Sequence, residues 1–215
     1  MNRFLSTFKT AILIAFMMLS IKAAATTLVS FSISELTQRA EYVFDGEVIA
    51  VHAQRSGSRG MVSTFVTFRI IETIKGQANK ESLELKFLGG NIDGEVLEVN
   101  GSRIPELGER GVYFVESLDR DLINPLLGWS QGQYLIEGDS GSEQVTSVEA
   151  KPIVGVSPAN DSTTALPSNT RARTAAPLLI ATDPNIAEGI SAVEPGRATG
   201  LSPAEFKQRI RALLP

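Results

Sequence analysis

Two strings in this 215-residue chain have the spacing of a serine nucleophile. Gly128-Trp129-Ser130-Gln131-Gly132 fits G-x-S-x-G, which in hydrolases lifts a reactive serine on a sharp turn between a strand and a helix. Gly138-Asp139-Ser140-Gly141-Ser142 is the second. Either serine would need a histidine as base, and His52 is the only histidine in the sequence. It precedes both serines, whereas the G-x-S-x-G hydrolases place their histidine after the nucleophile. The residues after Ser130, Gln133-Tyr134-Leu135-Ile136, read as a strand where the motif needs a helix, and Gly-Asp-Ser-Gly has the composition of a β-turn. A serine hydrolase using Ser130 or Ser140 is therefore the alternative reading. The preferred one assigns no catalytic residue and no enzymatic activity.

Other chemistry is limited by composition. With no cysteine and one histidine, the chain has no disulfide framework, no thiolate metal site, no cysteine nucleophile and no multi-histidine centre. Asp45 and Glu47 share a strand face by parity, as a glycosidase pair would, but so do the residues of most solvated strand faces. Asp119, Asp121 and Asn124 match no calcium-loop spacing. Gly89-Gly90-Asn91-Ile92-Asp93-Gly94 is glycine-rich but runs into no helix whose N-terminus could hold a phosphate. Neither a metal nor an organic cofactor is expected. With 20 basic and 24 acidic residues, the charge balance also argues against nucleic acid as a partner.

Trp129, the only tryptophan, stands in a glycine-flanked turn beside Gln131 and Gln133. One role is to plug the end of a core, with its indole N–H on a carbonyl. The other is contact with a ligand, in which case the loops 54–61 and 118–130 would bring Arg55, Arg59, Arg120, Trp129 and Gln131 onto one binding surface. A second surface is predicted at the C-terminus. Ser202, Pro203 and Glu205 form a capping box with proline at the first helical position, opening a helix whose Phe206, Ile210 and Leu213 lie on one stripe. Phe206 and Ile210 are expected either to dock on a partner or to fold back on the chain itself.

The surrounding elements follow from patterning. Arg3 and Lys9, the apolar run 11–21 and Ala23-Ala24-Ala25 form a signal peptide over 1–25, too short for a membrane span. Cleavage would leave 17 basic against 24 acidic residues, a net charge of −7, in a periplasmic or secreted bacterial protein with no integral span. Residues 26–153 hold most of the aromatics and form the folded domain. Ser32 and Glu35 cap a short helix, and strands follow at 42–54, 62–71, 81–88, 95–99, 102–104, 111–118, 133–137 and 145–150. Asn100-Gly101 is read as a two-residue hairpin turn. Many short antiparallel strands predict a mainly β fold, a small closed OB-like β-barrel without exposed edges. Residues 154–200, rich in Pro, Ala, Ser and Thr, read as a disordered flexible linker, followed by the amphipathic helix in 201–215.

The strings AEYVFDGEVIAV, STFVTFRIIETIKG and ELGERGVYFVE resemble the layout of netrin-like modules, the OB-type barrels of the tissue inhibitors of metalloproteinases. A closer resemblance is to uncharacterised secreted bacterial proteins with a similar Lys-Gly strand end, a Gly-Glu-Arg turn and a GWSQGQYLI segment. The likeness covers 35–137. It implies an exported, non-catalytic binding module with a protein partner, and in sharper form a companion or inhibitor of a secreted metalloprotease. The zinc-chelating N-terminal cysteine of the animal inhibitors has no counterpart here.

Overall fold

The computed structural model describes residues 29–58, 60–77, 80–158 and 183–215. The signal peptide over 1–25, Arg59 and residues 159–182 of the expected linker lie outside these.

Local chemistry starts both helices. Ser32 Oγ accepts from the Glu35 amide at 3.1 Å and the Glu35 carboxylate accepts from the Ser32 amide at 2.9 Å, the reciprocal cap that opens helix α1 (Ile33–Arg39). Its far end is closed from a distance. Lys75 Nζ donates to the carbonyls of Thr37, Gln38 and Ala40 at 2.9, 2.6 and 2.6 Å, satisfying oxygens that a helix terminus leaves without partners. The adjoining Gly76 has φ +97°, and a Cβ there would lie 2.7 Å from the Tyr42 ring. The Lys-Gly strand end is thus a helix cap followed by a turn that only glycine fits.

Strands β1 (Tyr42–Ser56), β2 (Met61–Lys75) and β3 (Ser82–Leu88) form an antiparallel meander. A small hairpin of β4 (Gly90–Ile92) and β5 (Glu95–Leu97) follows. Then come β6 (Arg110–Val115), β7 (Gln133–Glu137) and β8 (Gln144–Thr146), giving the order β3-β2-β1-β6-β7-β8. Register shifts in the β1–β2 ladder at Val43/Phe44, Asp45/Gly46 and Val48/Ala50 bend the long ribbon.

Period-2 alternation then builds two cores, one on each face. Tyr42, Phe44, Phe68 and Tyr113 pack on the concave side, with ring centroids 4.7–5.4 Å apart. Their neighbours Val43, Val112 and Phe114 point the other way, onto Ile33 and Leu36 of α1 and onto Phe206 and Ile210 of helix α2 (Pro203–Arg211).

Four expectations change. The sheet is not closed by strand pairing, because no ladder joins β3 to β8. Residues 123–127 span from β3 to β6 instead: Leu88 N donates to Ile123 O, and Leu127 N to Phe114 O, each at 2.8 Å. Pro125 has no N–H to continue a ladder, and Asn124 Oδ1 turns inward to accept from Leu126 N, so this segment forms no regular strand. The hairpin turn is Asp93-Gly94, where φ values of +52° and +87° suit a type I′ turn, rather than Asn100-Gly101, which joins no strands. The last strand of the meander stops at Thr146 and gives way to a turn over 147–151.

The linker read over 154–200 is corrected at both ends. Strand β9 (Ile153–Val156) pairs with β10 (Ile190–Ala192), and Ile186, Ala187, Ala192 and Val193 are buried. Lys151 Nζ pairs with Asp183, and Glu188 bridges to Ser32. Among the described residues, Ile186, Ala187 and Ala192 join the core cluster that holds Ile33, Leu36 and Ile153.

Candidate functional site

Gly128 and Trp129 are consecutive left-handed residues, with φ +69° and +57°. For glycine this is free. For tryptophan it costs on the order of 1–2 kcal/mol, since Cβ crowds the following carbonyl. The turn is tightened by Gly132, whose hypothetical Cβ would lie 2.2 Å from Leu127 O. A short 3-10 turn, Trp129–Gly132, then feeds β7. This is why the glycines of GWSQGQY stand where they do, and why no nucleophile elbow forms.

The turn leaves Trp129 half-buried on the wall of a recess of about 280 Å³, with Val29, Phe31, Leu127, Arg39 and Glu116 as its other principal walls. The Arg39 guanidinium lies over the Phe31 ring, 5.0 Å from its centroid. Gln131, expected to touch a ligand, is buried and clamps the chain that forms the opposite wall. Its Oε1 accepts from Phe31 N at 2.8 Å and its Nε2 donates to Val29 O at 3.0 Å. Gln131 therefore positions the recess and is itself closed to a partner.

The other predicted residues are dispersed. Arg120 donates to Glu116 at 3.0 Å and so joins the recess through that carboxylate. Arg55 pairs with Glu95 of β5 and donates to Gly60 O, and it is absent from the Trp129 recess. Arg59 lies outside the described residues. Phe206 and Ile210 are fully buried in the chain's own core, so as a partner surface they are corrected: the stripe docks in cis.

That docking is fastened by charge. Asp45, fully buried on β1, accepts two hydrogen bonds from Arg110 at 3.0 Å each and one from Lys207 Nζ at 2.7 Å. Lys207 also reaches Glu72 at 2.6 Å, and Arg211 pairs with Glu72 as well. Burial pulls the Lys207 ammonium down, but its hydrogen bonds to Asp45 and Glu72 outweigh this and raise its pKa. The Lys207 hydrogen bond likewise holds the Glu72 carboxyl below its ordinary value. The Asp45/Glu47 pairing considered from parity is thus a structural ion pair on one member, while Glu47 pairs with Arg69.

Sequence reasoning missed Glu109. Its carboxylate accepts from Tyr113 OH at 3.0 Å and Gln133 Nε2 at 2.6 Å, and pairs with Arg103. The Gly-Glu-Arg turn therefore carries two inward connectors, Glu109 to the concave core and Arg110 to the helix face. A charged pair just before a strand with no exposed alternation was the available signal. Ser130 Oγ is within 3.4 Å of Gly101 O, Ser140 sits in an exposed turn, and His52 stacks on Phe65 with centroids 5.3 Å apart. No described helix is long and apolar enough to cross a membrane. Comparison with protein-family models, with curated proteins and with solved structures finds no match to this chain.

Proposed function

We propose that the chain is an exported, non-catalytic binding module that engages a protein partner through the surface around Trp129. On this reading the sheet is an OB-type, netrin-like barrel with an irregular seam over 123–127, and a companion or inhibitor role toward a secreted metalloprotease is its sharper form. The observation that carries it is the left-handed backbone at Trp129, beside an open apolar recess. Strain at a bulky residue persists where surrounding structure enforces it, and such strain clusters at ligand-contacting positions. The recess also has the composition of a contact hot spot, aromatic and arginine side chains around an apolar floor.

The test is a photo-crosslinking side chain at Val29, which is 68% exposed at the recess, with one at the equally exposed Leu107 as reference. In exported material, a defined adduct from position 29 that disappears with Trp129→Ala supports the reading. The same adducts from both positions, or none from either, overturn it.

A further inference from the structure

Among the described residues, Arg39 forms no ion pair, whereas the carboxylate across the recess, Glu116, is already paired with Arg120. The recess thus offers a cation outside any such ion pair, its charge shared only at longer range with Glu35 of α1, beside an apolar floor. The guanidinium is held over Phe31, and its fork of N–H donors matches a planar two-oxygen acceptor. From this charge complementarity, and resting on the binding-module reading above, we infer that the Trp129 recess takes the C-terminal residue of a partner polypeptide. An apolar side chain lies between Trp129, Phe31 and Leu127, and the terminal carboxylate lies on Arg39.

Size favours a single residue over a longer peptide segment, since about 280 Å³ is below the range of pockets that enclose drug-sized molecules. Binding requires little reorganisation, because Gln131 already fastens the Val29–Phe31 wall and Gly128, Trp129 and Gly132 set the floor.

Trp129 is the sole tryptophan, so its fluorescence reports occupancy directly. The probes are acetyl-Ala-Ala-Phe as the free acid, the same peptide as its C-terminal amide, and decanoate. The free acid is expected to give a saturable change. The amide should bind at least tenfold more weakly, as loss of a charge-assisted hydrogen bond implies. Arg39→Gln should lower affinity for the acid to that of the amide and leave the amide unchanged. Equal binding of acid and amide, tighter binding of decanoate, or no saturation with any probe because residues before Val29 fill the recess would each overturn the inference. A specific adduct at position 29 without discrimination between acid and amide would spare the binding-module reading and refute only this one.

Discussion

The C-terminal helix and the Trp129 recess each set apolar or aromatic residues beside basic ones, and the fold treats them in opposite ways. On α2 every apolar residue of the buried stripe meets the sheet, and Lys207 and Arg211 meet carboxylates waiting on β1 and β2. At the Trp129 turn the residue stays half-exposed and, among the described residues, the nearby Arg39 forms no ion pair. Amphipathicity alone therefore does not separate a face that docks at home from one that is left open. The discriminating feature is whether carboxylates of the sheet pair with the basic residues, as Asp45 and Glu72 do with Lys207 and Arg211.

The largest expected effect tests the closed side of this contrast. Phe206→Ala removes a fully buried ring wedged against Tyr134, centroids 5.1 Å apart, and should destabilise the protein by about 3–5 kcal/mol, read as a lower denaturation midpoint with an unchanged slope. A change below about 1 kcal/mol would mean that α2 is peripheral and the contrast false.

Acidification should act on the same side more gently. Because the Lys207 hydrogen bond depresses Glu72, folding gains from the ionised carboxylate at pH values above its ordinary 4.5, and that gain is lost as pH falls below 4.5 through the folded-state value. Lys207 and Arg211 face Glu72 from α2, and Asp45 shares Lys207 from β1. The melting temperature should fall between pH 5 and 3, and Glu72→Gln should flatten that fall. Identical profiles for parent and variant would remove Glu72 from the fastening.

The smallest effect belongs to the open side. Trp129→Gly relieves the left-handed backbone while losing half-buried contacts, so stability should change by less than about 1 kcal/mol even as the position-29 adduct vanishes. A loss several times larger would make Trp129 a core plug.

Much of the fold was legible. The Ser32 and Ser202 caps, the alternation of Val62 to Ile70 and the breaks at Gly76 and Gly89 mark real boundaries, because they depend on neighbours within a few residues. The bridging segment 123–127 and the fastening of 183–193 were hidden, since each depends on partners far away in sequence, such as Leu88 for Ile123 and Ser32 for Glu188. The site divides in the same way. Trp129 was visible as a residue type in a glycine turn. Gln131 looked like a contact until its two hydrogen bonds to Val29 and Phe31, about a hundred positions away, made it a clamp.

The Asp45–Lys207 pair spans 162 positions of sequence. Closing so long a loop is entropically slow, and contacts of high sequence separation lengthen folding times toward milliseconds to seconds. Until the second partner is available, β1 carries a carboxylate that its own sheet will desolvate with only Arg110 to neutralise it, and the sheet face beside it is covered by α1 but not by α2. The ion pairing of Asp45 is therefore complete only once the C-terminal helix has docked, which makes this contact a late one by topology.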